Sequence, residues 1–241
     1  MPPTELLVFR EANGRIPMQD WLDLLPSKAR AKCLAYMRLL AASGHELRRP
    51  VADFLRDGIY ELRPSYDGVG YRILFFFYRR DAVVLSHGIV KTQKVPDIDI
   101  QRAIRRRNLV LASPPGMLAV SLPRRYDMAR PRRYSSDTLQ YFWDRYIGDD
   151  PERIAEYEQA EAEIDIARLI YRMRTAAPLT QRQLAKKVGT TASVICRLED
   201  ADYQGHSLAM LRRIAAALGK RIEIRFVPAV KPKRVKPRRV A

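Results

Sequence analysis

The chain is poor in the residues that build disulfide networks and metal sites. Its 241 residues include two cysteines, Cys33 and Cys196, and three histidines, so we expect reduced thiols and no His/Cys metal cage. It also lacks an apolar run near the roughly 18 residues that a membrane helix needs, and it lacks a basic start followed by an apolar stretch. These absences exclude a disulfide scaffold and predict a soluble, cytoplasmic protein without membrane contact.

Acidic residues are scarce relative to basic ones. The chain has 44 Lys and Arg against 27 Asp and Glu, which gives a net charge of +17. Its hydrophobic fraction of 47% and charged fraction of 29% are ordinary for a globular protein. The charge excess therefore indicates a polyanionic partner such as a nucleic acid.

The uneven distribution of charge predicts the domain organisation. Residues 1–112 carry a net charge of +7 and residues 135–229 carry none. Between them, residues 113–134 carry +4 and four of the 16 prolines, which predicts a linker without helix or strand. Residues 230–241 carry +6 and have little to bury, which predicts a disordered basic tail. Two compact units of about 100 residues each remain.

The first unit mixes helix and strand patterns. LLVFRE predicts a strand, Pro17 opens a short helix, and a second helix over Ser27–Ala42 ends at Gly44. The runs IYELR, GYRILFFFY and AVVLSHGIV predict three strands, and a last helix follows over 97–107. This order predicts an α+β fold with helices lying against a small, mostly antiparallel sheet.

The same runs carry a family resemblance over roughly residues 4–109. IYELRPSYDGVGYRILFFFY and VVLSHGIVKTQKVPDIDIQRAIRRR resemble the toxin half of a bacterial toxin–antitoxin module, in the RelE/HigB-like (phage Gp49-like) branch. The motif is an ELR strand, a YRxLF strand, and a G-x-x-K-T-x-K-x-P segment that leads into a helix. The resemblance implies a small endoribonuclease that cuts mRNA, usually on the ribosome, without a metal or other cofactor.

The residues suit that chemistry in their own right. Cleavage through the RNA 2′-hydroxyl requires deprotonation of that oxygen, stabilisation of a dianionic phosphorane and protonation of the leaving oxygen, and positioned cations supply much of this. Cations stand at the strand ends, where an antiparallel sheet can bring them to one rim. The candidate catalytic residues are Arg63, Arg72, Lys91, Lys94 and His87.

The roles of these residues differ, and a structural alternative stands beside each. Arg63 and Arg72 suit bidentate phosphate contact, whereas Lys91 suits a point charge or proton transfer. A surface Arg or Lys is often only a solvated charge, and His87 can equally be a buried core histidine or a general acid or base.

The sequence departs from the toxin pattern at three positions. Where such toxins often carry further lysines or a tyrosine, this chain has Tyr60, Glu61 and Asp97. The identity of the general base therefore stays open.

The second unit carries a helix-turn-helix pattern. SSDTLQYFWDRYIGDD predicts a short helix, and a longer helix with many early acidic residues follows over 151–174. Thr180 and Gln183 form a capping box, Gly189 marks a tight turn, and Ser207 caps a further helix. RIEIRFV predicts a C-terminal strand. The run LTQRQLAKKVGTTASVICRLED resembles Xre/Cro-like domains, and more narrowly HigA-like antitoxins.

This resemblance places the candidate DNA-binding residues on the two short helices. They are Gln181, Thr190, Thr191, Ser193 and Arg197.

Each of these has a local alternative. The two threonines and Ser193 can serve only as helix caps, and Arg197 can pair with the carboxylates at 199 and 200. Ala192 stands where related domains often read adenine with glutamine, and it offers only apolar contact.

Together the two resemblances imply a type II toxin–antitoxin module in one chain. We expect the acidic helix over 150–165 to grip the basic toxin unit and the tethered antitoxin unit to cover the cationic RNA site. We also expect a homodimer that represses its own operon from a palindromic operator. One alternative is a transcriptional regulator whose toxin-like unit is catalytically silent, and another is an RNA-binding protein without chemistry.

Overall fold

The computed structural model describes residues 4–47, 49–91, 94–122 and 133–225. Within these ranges, residues up to 122 form the N-terminal unit, which contains a mixed sheet, and residues from 133 onward form the helical C-terminal unit. None of the helices described here is long and apolar enough to cross a membrane.

The sheet has seven strands among the described residues. Their bounds are β1 Glu5–Phe9, β2 Ala52–Arg56, β3 Ile59–Leu62, β4 Ser65–Tyr66, β5 Val69–Tyr78, β6 Ala82–Lys91 and β7 Ala119–Val120. The order is β2-β3-β5-β6-β1-β7, and β4 pairs with β5. Only β1 and β6 pair in parallel, so the sheet is mostly antiparallel, as the sequence predicted.

Eight helices accompany the sheet in the described chain. They are α1 Pro17–Asp23, α2 Ser27–Ser43, α3 Asp97–Ala112, α4 Asp137–Tyr146, α5 Pro151–Ala176, α6 Gln181–Val188, α7 Ala192–Leu198 and α8 Leu208–Ala217. Proline stands at the first turn of α1 and of α5, and Gly44 ends α2 with a positive φ of 48°. The α+β class and the helix boundaries follow the sequence patterns closely, except that α3 runs on to Ala112.

The two faces of the sheet are covered by different helices. Phe75 and Val83 point into the main core with α1 and α2, whereas Leu74 and Val84 point into a second core with α3. Side chains alternate along β3 and β5, so their residues can be assigned to one of these faces. Residues of β6 take the face of their β5 partners, because the register shifts between Leu74 and Phe75. The α2 face and the α3 face are the reference for the site below.

The C-terminal unit packs on the α2 face. Helices α4 and α5 share the main core with α2, where Phe142 and Ile164 are fully buried. The acidic part of α5 meets basic side chains of α2: Arg38 pairs with Glu161 at 2.7 Å and with Asp165 at 2.9 Å. These contacts confirm the expectation that the acidic helix grips the N-terminal unit.

Two expectations about strands are wrong. Within the predicted linker, Ala119 and Val120 form β7, because they complete the edge beside β1 and Ala119 is buried there. The predicted C-terminal strand does not form over 221–225, where Ile224 is exposed and no neighbouring strand in the described chain offers a hydrogen-bonding partner. Residues 226–227, the tail over 230–241 and linker residues 123–132 lie outside the described residues.

Candidate nucleic-acid sites

Three of the predicted catalytic cations converge at one end of the sheet. Lys91 lies opposite Gly70 in the β5–β6 pair, and the Arg72 guanidinium extends over Gly70, so the two cations are neighbours on the α3 face. Arg63 follows β3 on the same face as Glu61. The antiparallel register thus brings together residues that are up to 28 positions apart in sequence.

Glu61 lies at the centre of these cations. Its Oε2 is 3.0 Å from Arg72 Nε, and its Oε1 is 3.8 Å from Arg63 Nε. The side chain is only 6% exposed. Burial raises the pKa of this carboxyl group, while Arg72, Arg63 and Lys91 act in the opposite direction. The four residues are called the Glu61 cluster below.

Burial also lowers the pKa values of two cations in the Glu61 cluster. The pKa values of Arg72 and Lys91 are lowered by desolvation, and in each case neighbouring cations add to the shift while Glu61 opposes it. Arg72 is 8% exposed and also donates to the Tyr71 carbonyl, whereas Arg63 is 27% exposed and Lys91 is half-buried. Lys91 and Arg63 are therefore the members of the cluster that are most accessible to a phosphate.

His87 belongs to a different cluster, beneath helix α3. Its Nδ1 is 2.9 Å from Ser86 Oγ and its Nε2 is 3.5 Å from Asp99 Oδ1. Burial and the charge of Arg106 lower the pKa of His87 to about 4 and outweigh the opposing effect of Asp99. At neutral pH the ring is uncharged, which favours the core-histidine alternative over a general acid.

Lys94 is exposed in the bend between β6 and α3, and no contact found among the described residues joins it to the Glu61 cluster. Glu61, in contrast, is the residue that the sequence reasoning had recorded only as a departure. The sequence feature that could have identified Glu61 is its position two residues after Ile59. In an alternating strand these two residues share a face, and the apolar Ile59 indicates that this face is buried.

The second site is the outer face of α6 and α7. The capping box of Thr180 and Gln183 is present, and Gly189 adopts the left-handed conformation at φ 70° that the turn requires. Arg174 of α5 holds the end of α7 through two contacts with Glu199, at 2.5 and 2.9 Å. These contacts join the end of α7 to α5.

The predicted DNA-binding residues are placed unequally on this face. Thr191 and Ser193 are exposed, their hydroxyls 2.9 Å apart, and Thr191 also caps α7. Gln181 is half-buried and donates to Glu199 at 2.9 Å, so its amide is partly engaged. Thr190 is half-buried and donates its backbone N–H to the Ala185 carbonyl.

Arg197 is exposed on α7, and the ion pairs found in the described residues do not include it. Glu199 pairs with Arg174 instead, which removes the main alternative for Arg197. Two further residues, Arg182 and Cys196, line a groove between α6 and α7 together with Ser193. Sequence reasoning missed them, although Cys196 lies one turn after Ser193 on the same helix face.

The C-terminal unit does not cover the Glu61 cluster with its helices α4 and α5. These helices pack against α2, on the opposite face of the sheet. The expected coverage therefore does not come from α4 or α5, because the sheet pleat places Glu61 and Arg72 on the α3 face. The loop after α7 approaches the cluster instead: its Asp202 is close enough to raise the pKa of Arg72, against the effect of burial.

Two family models match separate parts of the chain. Residues 20–108 match the family model "Phage derived protein Gp49-like", and residues 152–226 match a "Helix-turn-helix domain" model. No curated protein shows a significant similarity to the chain. The matches correspond to a RelE-like toxin domain joined to an Xre-type helix-turn-helix antitoxin domain.

Proposed function

We propose that this chain, in which a Gp49-like toxin domain is joined to a DNA-binding helix-turn-helix domain, is a self-restrained ribonuclease and operon repressor. The observation that carries the catalytic part is the Glu61 cluster: one buried carboxylate within contact distance of two cations, with a third cation beside them. This arrangement provides a base and a polycationic phosphate site.

The cluster supports a division of labour in RNA cleavage. Glu61 accepts the proton of the 2′-hydroxyl, because its raised pKa makes the carboxylate a stronger base than an exposed one. Arg63 and Arg72 stabilise the charge that develops on the phosphorane oxygens. Lys91, whose pKa is lowered, protonates the leaving 5′-oxygen. The substrate class that we propose is mRNA engaged on the ribosome, as the toxin resemblance implies.

The exposed face of α7 supports sequence-specific DNA binding. Arg197, Thr191 and Ser193 are exposed on the face that would meet base edges in a major groove, and the lysines near the end of α6 are exposed toward solvent. We propose that two copies of the chain bind a palindromic operator and repress the operon that encodes it. The proposal predicts that Arg197→Ala relaxes sequence preference.

One observation favours a second function, a regulator whose toxin-like domain is silent. In this structure Arg72 is engaged by Glu61 and by the Tyr71 carbonyl, and both charged side chains are less than a tenth exposed. A cluster that stays closed in this way would not reach RNA. The toxin-like domain would then serve only as a partner for the helix-turn-helix domain.

An RNA-cleavage assay distinguishes the two functions. The full chain and residues 1–122 are each added to translating ribosomes, and cleaved mRNA is measured by primer extension. The fragment ends at 122 because β7 belongs to the sheet. The ribonuclease proposal predicts cleavage by the fragment and weaker cleavage by the full chain. Absence of cleavage by both, with the fragment folded, would favour the silent regulator.

A further inference from the structure

The loop between α7 and α8 makes a second contact with the N-terminal unit, separate from α5. This loop, residues 200–206, is called the docking loop. Its Asp202 carboxylate accepts hydrogen bonds from Ser65 Oγ at 2.5 Å and from the Tyr36 hydroxyl at 3.2 Å. Both donors belong to the N-terminal unit, one to β4 and the other to α2.

A buried lysine completes the contact. Lys32 of α2 is only 4% exposed, and its Nζ lies 3.6 Å from Asp202, 2.7 Å from the Ala201 carbonyl and 2.8 Å from Glu163. All three oxygens come from the C-terminal unit. A buried ammonium without such partners carries a large desolvation cost, so the burial of Lys32 depends on the C-terminal unit.

The docking loop is also continuous with the recognition helix. Helix α7 ends at Leu198, Glu199 is held by Arg174 of α5, and Asp202 follows three residues later. Ala201 between them is 1% exposed and lies in the main core with α2. The end of α7 is therefore fixed from two sides, by its own domain and by the N-terminal unit.

We propose that Lys32, Tyr36 and Ser65 form a carboxylate socket that binds Asp202 and thereby immobilises the recognition helix for DNA reading. The inference rests on the proposed DNA binding but assigns it a further requirement: the toxin-like domain supports the DNA-reading surface from behind. Loss of the socket leaves α7 attached but less restrained, so operator binding must order it at an added entropic cost.

Hydrogen exchange of the full chain tests the socket without any DNA. Asp202→Asn keeps the side-chain shape and removes the charge, and Ser65→Ala removes one donor. Both should speed amide exchange over 193–203 by roughly tenfold, as expected for loss of a charge-assisted hydrogen bond. The matched control is Asp165→Asn, which removes a carboxylate of the same interface that binds Arg38, and it should leave this segment unchanged.

Operator affinity provides the second readout, on DNA selected from random sequence with the wild-type chain. Asp202→Asn should weaken binding by roughly tenfold, although it removes a negative charge that would repel phosphates. Unchanged exchange over 193–203 in both socket variants would overturn the socket, whether or not the chain binds DNA. Faster exchange with equal or tighter operator binding would overturn the link to DNA reading. A wild-type chain that selects no DNA would instead refute the proposed function, and exchange alone would then decide the socket.

Discussion

His87 should make the stability of the folded chain depend on pH, and this dependence distinguishes a structural role of the residue from a catalytic one. The ring is 5% exposed, and burial and Arg106 lower its pKa to about 4 from an ordinary value near 6.5. Between these two pH values the unfolded chain holds a proton at His87 and the folded chain does not. Acidification therefore favours unfolding. The stability that the neutral His87 contributes is fully present above about pH 6.5 and is lost toward pH 4.

This pKa shift should lower the free energy of unfolding by about 2–3 kcal/mol between pH 7 and pH 4.5, since one pKa unit is worth about 1.4 kcal/mol. Urea unfolding of the full chain at several pH values measures it. The carboxyl groups of Glu61 and Asp202, whose pKa values are raised by burial, act in the opposite direction, so a comparison of variants is needed. His87→Gln should remove the His87 component, while His206→Gln should retain it.

The contrary result is a wild-type chain and a His87→Gln variant with parallel pH profiles of stability. That outcome would mean that folding leaves the pKa of His87 near its ordinary value, so that a protonated fraction persists near neutral pH. The general-acid alternative for His87 would then regain support, because a charged imidazolium can donate a proton.

Four further predictions concern single side chains and segments of the chain. Arg197→Ala should weaken specific operator binding by roughly 1–3 kcal/mol. Truncation after Val230 should instead weaken binding to all DNA alike and flatten the salt dependence of binding. Fluorescence titration measures both effects. Gly88→Ala should destabilise the fold by about 1–3 kcal/mol in urea unfolding, because a Cβ there would lie 2.1 Å from the Trp21 ring; an unchanged midpoint would refute this close contact. A toxin-like fragment that lacks residues 113–122 should melt several degrees below one that keeps them, since it loses β7, and equal melting would contradict the structural role of that strand.

The helix-turn-helix domain was predictable because its signals are local. The capping box at Thr180, the glycine at 189 and the cap at Ser207 each specify a helix boundary through neighbouring residues, and the structure has all three. The same holds for β5, whose long apolar run predicts a central strand covered on both faces.

Two strands were missed for different reasons: one has a turn signal in the sequence, and the other forms only because of the sheet beside it. Strand β2 was overlooked although Asp57 and Gly58, both at positive φ, form the tight turn that joins it to β3, and Asp-Gly is a strong hairpin signal. Strand β7 has no comparable signal. Two residues pair with β1 only because the sheet already presents an open edge beside it.

The sequence predicted the cations of the candidate site but not the carboxylate at its centre. Arg63, Arg72 and Lys91 were found from their places at strand ends, and the register of the sheet brings them together. Glu61 was not selected, because its importance comes from burial among charges that are distant in sequence. His87 was selected for its chemistry, but burial, together with the charge of Arg106, lowers its pKa and keeps the ring neutral.

The most direct test of the account is the rate of RNA cleavage by the Glu61→Gln variant. The variant keeps the shape of the side chain and removes the proposed base from the centre of the cluster. Measured on translating ribosomes with residues 1–122, and with folding verified by thermal melting, cleavage should fall by about 10²–10³-fold for Glu61→Gln and to a similar extent for Lys91→Met. Folded variants that cleave mRNA at the wild-type rate would show that the Glu61 cluster is not the active site.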